Sequence, residues 1–497
     1  MAQPVVIILA AGQGTRMKSN LPKVLHRAAG RTMLHHAIVA AGAVQPERMV
    51  VVVRHGRDAV AAEALQHEPS ALIADQDDVP GTGRAVQCAL DAIGQAGLDT
   101  TGGILVIPGD TPLLDGATLQ DLAAHHRAAG ATVTLLTAVL ADPFGYGRII
   151  REPGTGLVAS VVEERDATPQ QRAITEVNTS VYLFDAATLR RGLSQVGRGN
   201  AQGEVYLTDV VALARQEGAA TQAVPCSDPT VILGVNSRVQ LAQVAAELNR
   251  RLTTQAMLDG VTIQDPATTW IDADTILEPD VTLLPGTHLA GRCKVAAGAV
   301  IGPFTTLTDC EVGEGATVDR VVASGSVIGP RAEVGPFTYL RPGTVLGNGA
   351  KAGAHTELKA ATLGDGAKVP HLSYVGDAVI GDGANIGAGT IFANYDGVTK
   401  SRSEVGPGAR VGSNSVLVAP VQVGAGTYTG AGTVVRGDVP PGSLVVSAGP
   451  VRIFEGWTLR KRPGTDSAAR AQAALEAQTP PGQDPAALET GPEASHT

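Results

Sequence analysis

The chain has 497 residues, 38 Lys and Arg against 48 Asp and Glu, and a formal charge of −10. That length allows two or three domains with separate cores. An acidic chain without a basic tract is a poor binder of nucleic acid, and no run approaches the roughly 20 apolar residues that cross a bilayer.

The first element is an apolar strand, Val5–Leu9. No basic region precedes it and no cleavage site follows, so it reads as a buried strand and not a signal peptide, which points to a cytoplasmic protein. The four cysteines (Cys88, Cys226, Cys293, Cys310) form no C-x-x-C pair and read as reduced thiols. A small-residue turn follows the strand: Leu9, Ala10, Ala11, Gly12, Gln13, Gly14, Thr15, Arg16, then Leu21-Pro22-Lys23. Backbone N–H groups in such a turn can face phosphate oxygens, with Arg16 and Lys23 supplying charge. Met49–Val53 and Ile104–Ile107 are further continuous apolar strands, and Arg84–Ala96 and Leu119–Ala129 have helical spacing. Strands alternating with helices predict a doubly wound α/β domain over residues 1–238. Within it, Gln76 precedes a second glycine turn that holds Gly81 and Thr82. Asp110 follows a strand end, where such folds bind ligands, and can take Mg²⁺.

A single apolar stripe (Leu241, Val244, Leu248, Leu252) predicts a linker helix over 239–259. From about Val261 to Val451 the period becomes six, within a second domain expected over 260–462. Ile328, Val334, Leu340, Leu346, Ala352 and Leu358 recur at that spacing, as do Val405, Val411, Leu417, Val423, Thr429 and Val435. Small residues fall four positions after the repeat aliphatic. Period six fits a parallel β-helix of hexapeptide repeats, three hexads to a coil. A polar insertion, Phe392–Glu404, interrupts it and is expected to project as a loop. The tail, 463–497, is rich in Ala, Pro, Gly, Gln and Glu and is expected to be disordered.

Charged groups are sparse in the repeats. Arg341 and Lys359 are one coil apart and should stack, either as a clamp for a sugar phosphate or as an ordinary charge ladder. His371 stands with Tyr374, Asn385, Asn394, Tyr395, Asp396 and Lys400. A neutral imidazole suits removal of a proton from an amine, and N–H groups near Ala388 can stabilise an oxyanion.

Two motif sets occur in order. L-A-A-G-x-G-T-R-M…L-P-K resembles the signature of sugar-phosphate nucleotidyltransferases. K-x-x-H-L-S-Y-x-G-D, N-I-G-A-G-T and N-Y-D-G-x-x-K resemble the C-terminal half of bifunctional N-acetylglucosamine-1-phosphate uridylyltransferases/glucosamine-1-phosphate N-acetyltransferases. The resemblance covers about residues 4–457. It implies a Rossmann-like nucleotidyltransferase domain, a left-handed β-helix and a homotrimer with acetyl-CoA bound between subunits. The substrates it implies are UTP, acetyl-CoA, glucosamine-1-phosphate and N-acetylglucosamine-1-phosphate. By resemblance, Gln76 reads uracil, Gly147, Glu163 and Asn178 contact the N-acetylglucosamine moiety, and Asn236 shares Mg²⁺ with Asp110. His371 is the general base, and Arg341, Lys359, Tyr374 and Asn385 hold the amino-sugar phosphate. Ala388, Asn394, Tyr395, Lys400, Ser413, Ala431 and Ala448 line the acetyl-CoA site. Pro108 stands where the family has an aromatic residue, Pro370 where it has glycine, and Ala448 where relatives often carry an arginine. One rival is a nucleotidyltransferase whose β-helix only assembles or regulates, and the His371 and Lys400 set argues against it; the other is a non-enzymatic subunit built from the same two domains, and the presence of Arg16, Lys23 and Asp110 argues against that.

Overall fold

The computed structural model describes residues 2–447, 449 and 453–478. Its first half is built on a nine-stranded sheet. In chain order the strands are β1 (Val5–Leu9), β2 (Arg48–Val53), β3 (Leu72–Asp75), β4 (Ile104–Pro108), β5 (Val133–Val139), β6 (Arg148–Arg151), β7 (Val158–Val162), β8 (Glu176–Phe184) and β9 (Thr221–Pro225). The order across the sheet is β9-β5-β8-β4-β1-β2-β3, with the β6–β7 pair attached through β8. β1 runs parallel to β2 and β4, whereas β8 lies antiparallel between β4 and β5.

Both faces of β1 are covered, which is why its sequence is continuously apolar. Val5 and Ile7 pack on Ala85, Val86 and Leu90 of the helix Thr82–Gln95. Val6 and Ile8 pack on Leu34, Ile38, Val60, Leu119 and Leu122 of the opposite layer. The linker helix is Arg238–Leu258, started by the Ser237 side chain accepting from the Gln240 N–H. Its Asn249 amide donates to the Thr269 carbonyl at 2.7 Å and accepts from the Ile271 N–H at 3.0 Å. The open first coil of the next element is thereby capped. Arg251 reaches back to the Leu113 carbonyl at 3.1 Å and to Asp228 at 2.9 Å.

The period of six is a left-handed parallel β-helix of three sheets, with eleven, ten and nine strands. Glu333 pairs with Lys351 and Arg410 with Tyr428, each eighteen residues on. Ile328, Leu340, Leu346 and Leu358 are all buried, and Thr344, Ala350, Ser415 and Thr433 fill the corners with no exposure. The insertion lies between Ile391–Ala393 and Ser403–Val405, and the same step there takes twenty-five residues, Asn385 to Arg410.

Among the described residues the last strand of the ladder is Leu444–Val445, and a separate compact unit begins at Val446. The tail is not without structure throughout: Asp466–Gln478 is a helix. Its alanines have the highest helix propensity, and Asp466–Arg470 and Gln472–Glu476 pair at i,i+4. Among the described residues no helix is long and apolar enough to cross a membrane.

Candidate functional site

The carboxyl ends of β1, β2, β3 and β4 open into one cavity of about 480 Å³. It is lined by Leu9, Ala11, Gly12, Lys23, Gln76, Gly81, Thr82 and Asp110 among the expected residues. It sits where the strand order reverses between β4 and β1, the usual ligand crevice of open α/β sheets. Lys23 forms an ion pair with Asp110 and donates to Asn236 Oδ1 at 3.1 Å. Two oxygens from distant parts of the chain therefore converge on one cation position. Hard oxygen donors at such a point fit Mg²⁺, which takes its remaining ligands from water and substrate phosphates. The Gln76 amide nitrogen donates to the carbonyls of Val79 at 3.0 Å and Gly81 at 3.3 Å. Ala10 is buried behind the turn. Arg16 is exposed on the short helix Thr15–Met17 and does not line the cavity.

Gly147, Glu163 and Asn178 also meet. The Asn178 N–H donates to the Gly147 carbonyl at 2.8 Å. A Cβ on Gly147 would lie 3.2 Å from Val161 Cγ1, a tight contact, and at ordinary contact distance from Glu163 Oε2 (3.4 Å) and the Asn178 Cβ (3.5 Å), so the three residues share one wall. The Asn178 side chain donates to the Tyr182 hydroxyl at 2.7 Å. Glu163 lines a second cavity, about 440 Å³, with Asp166, Tyr206 and Asp209. Burial pushes its carboxyl up, against the Thr208 hydroxyl that donates to it, and neighbouring Asp166 and Asp209 push the same way.

In the β-helix, stacked coils assemble the other set. Tyr339 pairs with Glu357 and Leu340 with Leu358, which sets Arg341 beside Lys359. Arg341 is bonded to Glu357 at 3.2 Å. The Lys359 ammonium is held by both oxygens of Asp377 at 3.0 Å, and the Asn394 amide donates to the same carboxylate at 2.5 Å. Burial raises the Asp377 carboxyl, but the bonds from Lys359 and Asn394 outweigh it and hold it low, helped by the charge of Lys400. A Cβ on Gly376 would collide with the Tyr374 hydroxyl and come within 2.6 Å of Asn394 Nδ2, so these two groups share that corner. His371 ends the strand Lys368–His371 and is exposed. Its ring makes no hydrogen bond among the described residues.

Ala388, Ser413 and Ala431 form a column on successive coils. The Asn414 N–H donates to the Ala388 carbonyl at 2.7 Å and the Gly432 N–H to the Ser413 carbonyl at 2.8 Å. Their own N–H groups have no partner among the described residues. Asn385 pairs in register with Lys368 and Arg410 and joins neither ion pair. The Tyr395 hydroxyl donates to Gly397 within the loop at 2.6 Å, and Tyr395 pairs with Lys400. Ala448 lies outside the described residues. Sequence reasoning missed Arg54, His55 and Glu204, which line the cavity at the strand ends. Arg54 and His55 directly follow β2, so the strand-end rule that found Asp110 also marks them.

A family model described as a MobA-like NTP transferase domain matches residues 6–179. The chain is 57% identical over 474 residues to a "Bifunctional protein GlmU" of Kineococcus radiotolerans, covering 95% of this chain and 96% of the relative. Proteins of the same name from Pseudarthrobacter chlorophenolicus and Mycobacterium bovis are 54% and 52% identical, each over 98% of both chains. The chain therefore belongs to the bifunctional GlmU family of transferases, with a nucleotidyltransferase half and an acetyltransferase half.

Proposed function

We propose that the chain makes UDP-N-acetylglucosamine in two steps at the two places just described, feeding peptidoglycan and other envelope polysaccharides. In the β-helix, Arg341 and Lys359 hold the phosphate of glucosamine-1-phosphate, with Tyr374 and Asn385 on the sugar. His371 takes a proton from the 2-amino group as its nitrogen attacks the acetyl-CoA thioester. The unpartnered Ala388 N–H receives the developing oxyanion, and CoA leaves as the thiol. Ser413, Ala431, Asn394, Tyr395, Lys400 and Ala448 flank the CoA.

In the α/β half, the phosphate oxygen of N-acetylglucosamine-1-phosphate attacks the α-phosphorus of UTP, and pyrophosphate leaves with the bonding electrons. Gly12 and its neighbours face the triphosphate, Lys23 offsets its charge from within the cavity, and Arg16, exposed on the adjoining turn of helix, offsets it from outside. Gly147, Glu163 and Asn178 hold the N-acetyl sugar. Asp110 and Asn236 hold Mg²⁺, which when bound neutralises charge on the reacting phosphates. No protein nucleophile is needed.

The reading rests above all on the convergence of Asp110 and Asn236 on one cation at the mouth of a nucleotide-sized cavity. A homotrimer that places acetyl-CoA between subunits, working in the cytoplasm, completes the proposal.

The test is a paired assay on wild type and His371→Ala. Thiol release is followed with glucosamine-1-phosphate and acetyl-CoA, and pyrophosphate release with N-acetylglucosamine-1-phosphate, UTP and Mg²⁺. Loss of a general base should cost thiol release about 10²–10⁴-fold and leave pyrophosphate release unchanged. A wild type that releases pyrophosphate but never thiol would leave the β-helix a purely structural element.

A further inference from the structure

The register of the sheet sets Val53 beside Asp75, and the Gln76 N–H donates to the Val53 carbonyl at 3.0 Å. Arg54 and Gln76 are the residues that follow this last pair on the two neighbouring chain segments. Both line the nucleotide cavity, together with Gly81 and Thr82. The Arg54 side chain is 28% exposed, and its partner is Asp78 at 3.1 Å, which is fully exposed. A pair with so exposed a carboxylate contributes little, so the guanidinium can turn to a ligand at small cost.

The donor and acceptor inventory of these two neighbours is definite. Gln76 spends its amide nitrogen on the carbonyls of Val79 and Gly81. Its carbonyl oxygen, an acceptor only, is what remains for a ligand. A guanidinium donates and never accepts. Side by side they present an acceptor next to a donor.

We infer that Arg54 is a base-specificity residue: it donates to O4 of uracil while Gln76 accepts from N3–H. The inference rests on the uridylyl-transfer reading and deepens it. Cytosine reverses both contacts. Its N3 carries a lone pair toward the Gln76 oxygen, and its 4-amino group points donor hydrogens at the guanidinium. A site built to pair a polar edge discriminates strongly because the wrong edge leaves its own groups unpaired.

The experiment is calorimetric binding of UTP and CTP, with Mg²⁺, to the full chain as wild type, Arg54→Met, Arg54→Lys and Asp78→Ala. Thiol release with glucosamine-1-phosphate and acetyl-CoA on the same samples reports folding, since Arg54 lies outside the β-helix. Arg54→Met should weaken UTP roughly 10- to 100-fold and CTP much less, narrowing the preference by that factor. Arg54→Lys, which keeps a cationic donor, should recover part of it. Asp78→Ala should keep the wild-type preference. Equal weakening of both nucleotides, or no weakening of either, would overturn the assignment, as would Asp78→Ala reproducing the loss, because Arg54 would then act only by holding the loop. A wild type that binds CTP as tightly as UTP would remove the uridylyl reading itself and this inference with it.

Discussion

The two halves of the chain assemble their sites by opposite routes. In the α/β half, Gly12, Lys23, Gln76, Asp110 and Asn236 come from strand ends and loops spread over more than two hundred residues, and sheet order alone brings them together. In the β-helix, Arg341, Lys359, Asp377 and Asn394 lie on consecutive coils, and each meets a neighbour about one coil away. A solenoid turns sequence separation into distance by a fixed rule, whereas a doubly wound sheet does so only through its whole topology. The first kind of site is therefore local in stability and the second global.

Removing a group from one site should leave the other working, and Asp110→Ala makes the sharpest case. It deletes one of the two oxygens at the cation position. Pyrophosphate release should fall about 10²–10³-fold, the cost of losing one electrostatic stabiliser, with thiol release intact. A comparable fall in thiol release would mean that the halves are catalytically coupled.

The difference in assembly can be tested by stability as well. Leu358 is fully buried in the coil that carries Lys359. Leu358→Ala should cost about 2–5 kcal/mol. Because each coil packs only on its neighbours, hydrogen exchange should quicken in the coils around Arg341 and His371, with β1 and β4 staying protected. Uniform quickening through both halves would show that the linker helix, through Asn249 and Arg251, makes them one cooperative unit.

How much was legible follows from the same contrast. The period of six gave the β-helix, and the stacking of Arg341 on Lys359 could be counted in advance. What holds them could not. Of the carboxylates that pair with Arg341 and Lys359, Glu357 carries no mark beyond being acidic, and Asp377 closes the K-x-x-H-L-S-Y-x-G-D motif without that motif indicating its partner. In the α/β half the strand ends pointed to Asp110 and mark Arg54 by the same rule, but Glu204 joins the cavity only through the finished fold. Arg16, adjacent to the turn in sequence, is exposed on a turn of helix outside the cavity lining, a placement the motif does not indicate. Helix propensity, not burial, decides the Ala-rich stretch 466–478, so a composition that predicts disorder missed it.

Lys23 separates charge from geometry within the nucleotide site. Its ammonium occupies the point on which Asp110 and Asn236 converge. Lys23→Met should therefore raise affinity for Mn²⁺ alone, read by its paramagnetic signal, by roughly tenfold, because a like charge is removed from the cation position. Affinity for UTP should drop by a similar factor as its phosphates lose a counter-charge. If Mn²⁺ affinity falls instead, the lysine is needed to hold the two oxygens in place.

The smallest expected effect is a pH dependence near the junction of the halves. His35 stacks on His67 with ring centroids 3.6 Å apart, close to Arg31, which is bonded to Asp274 of the β-helix at 3.0 Å. Burial, then the like charges of His67 and Arg31, lower the His35 pKa from 6.5 to about 4. Between those values the unfolded chain holds a proton that the folded chain does not, so stability rises with pH across this window and is flat above it. His35→Phe keeps a ring for the stack and removes the titration. The wild type should thus lose thermal stability relative to His35→Phe as pH falls from 6.5 to 4, by an amount limited by the partial exposure of the site. If the gap in Tm is the same at pH 5 and pH 7.5, His35 titrates alike in both states, and the stack does not suppress its charge.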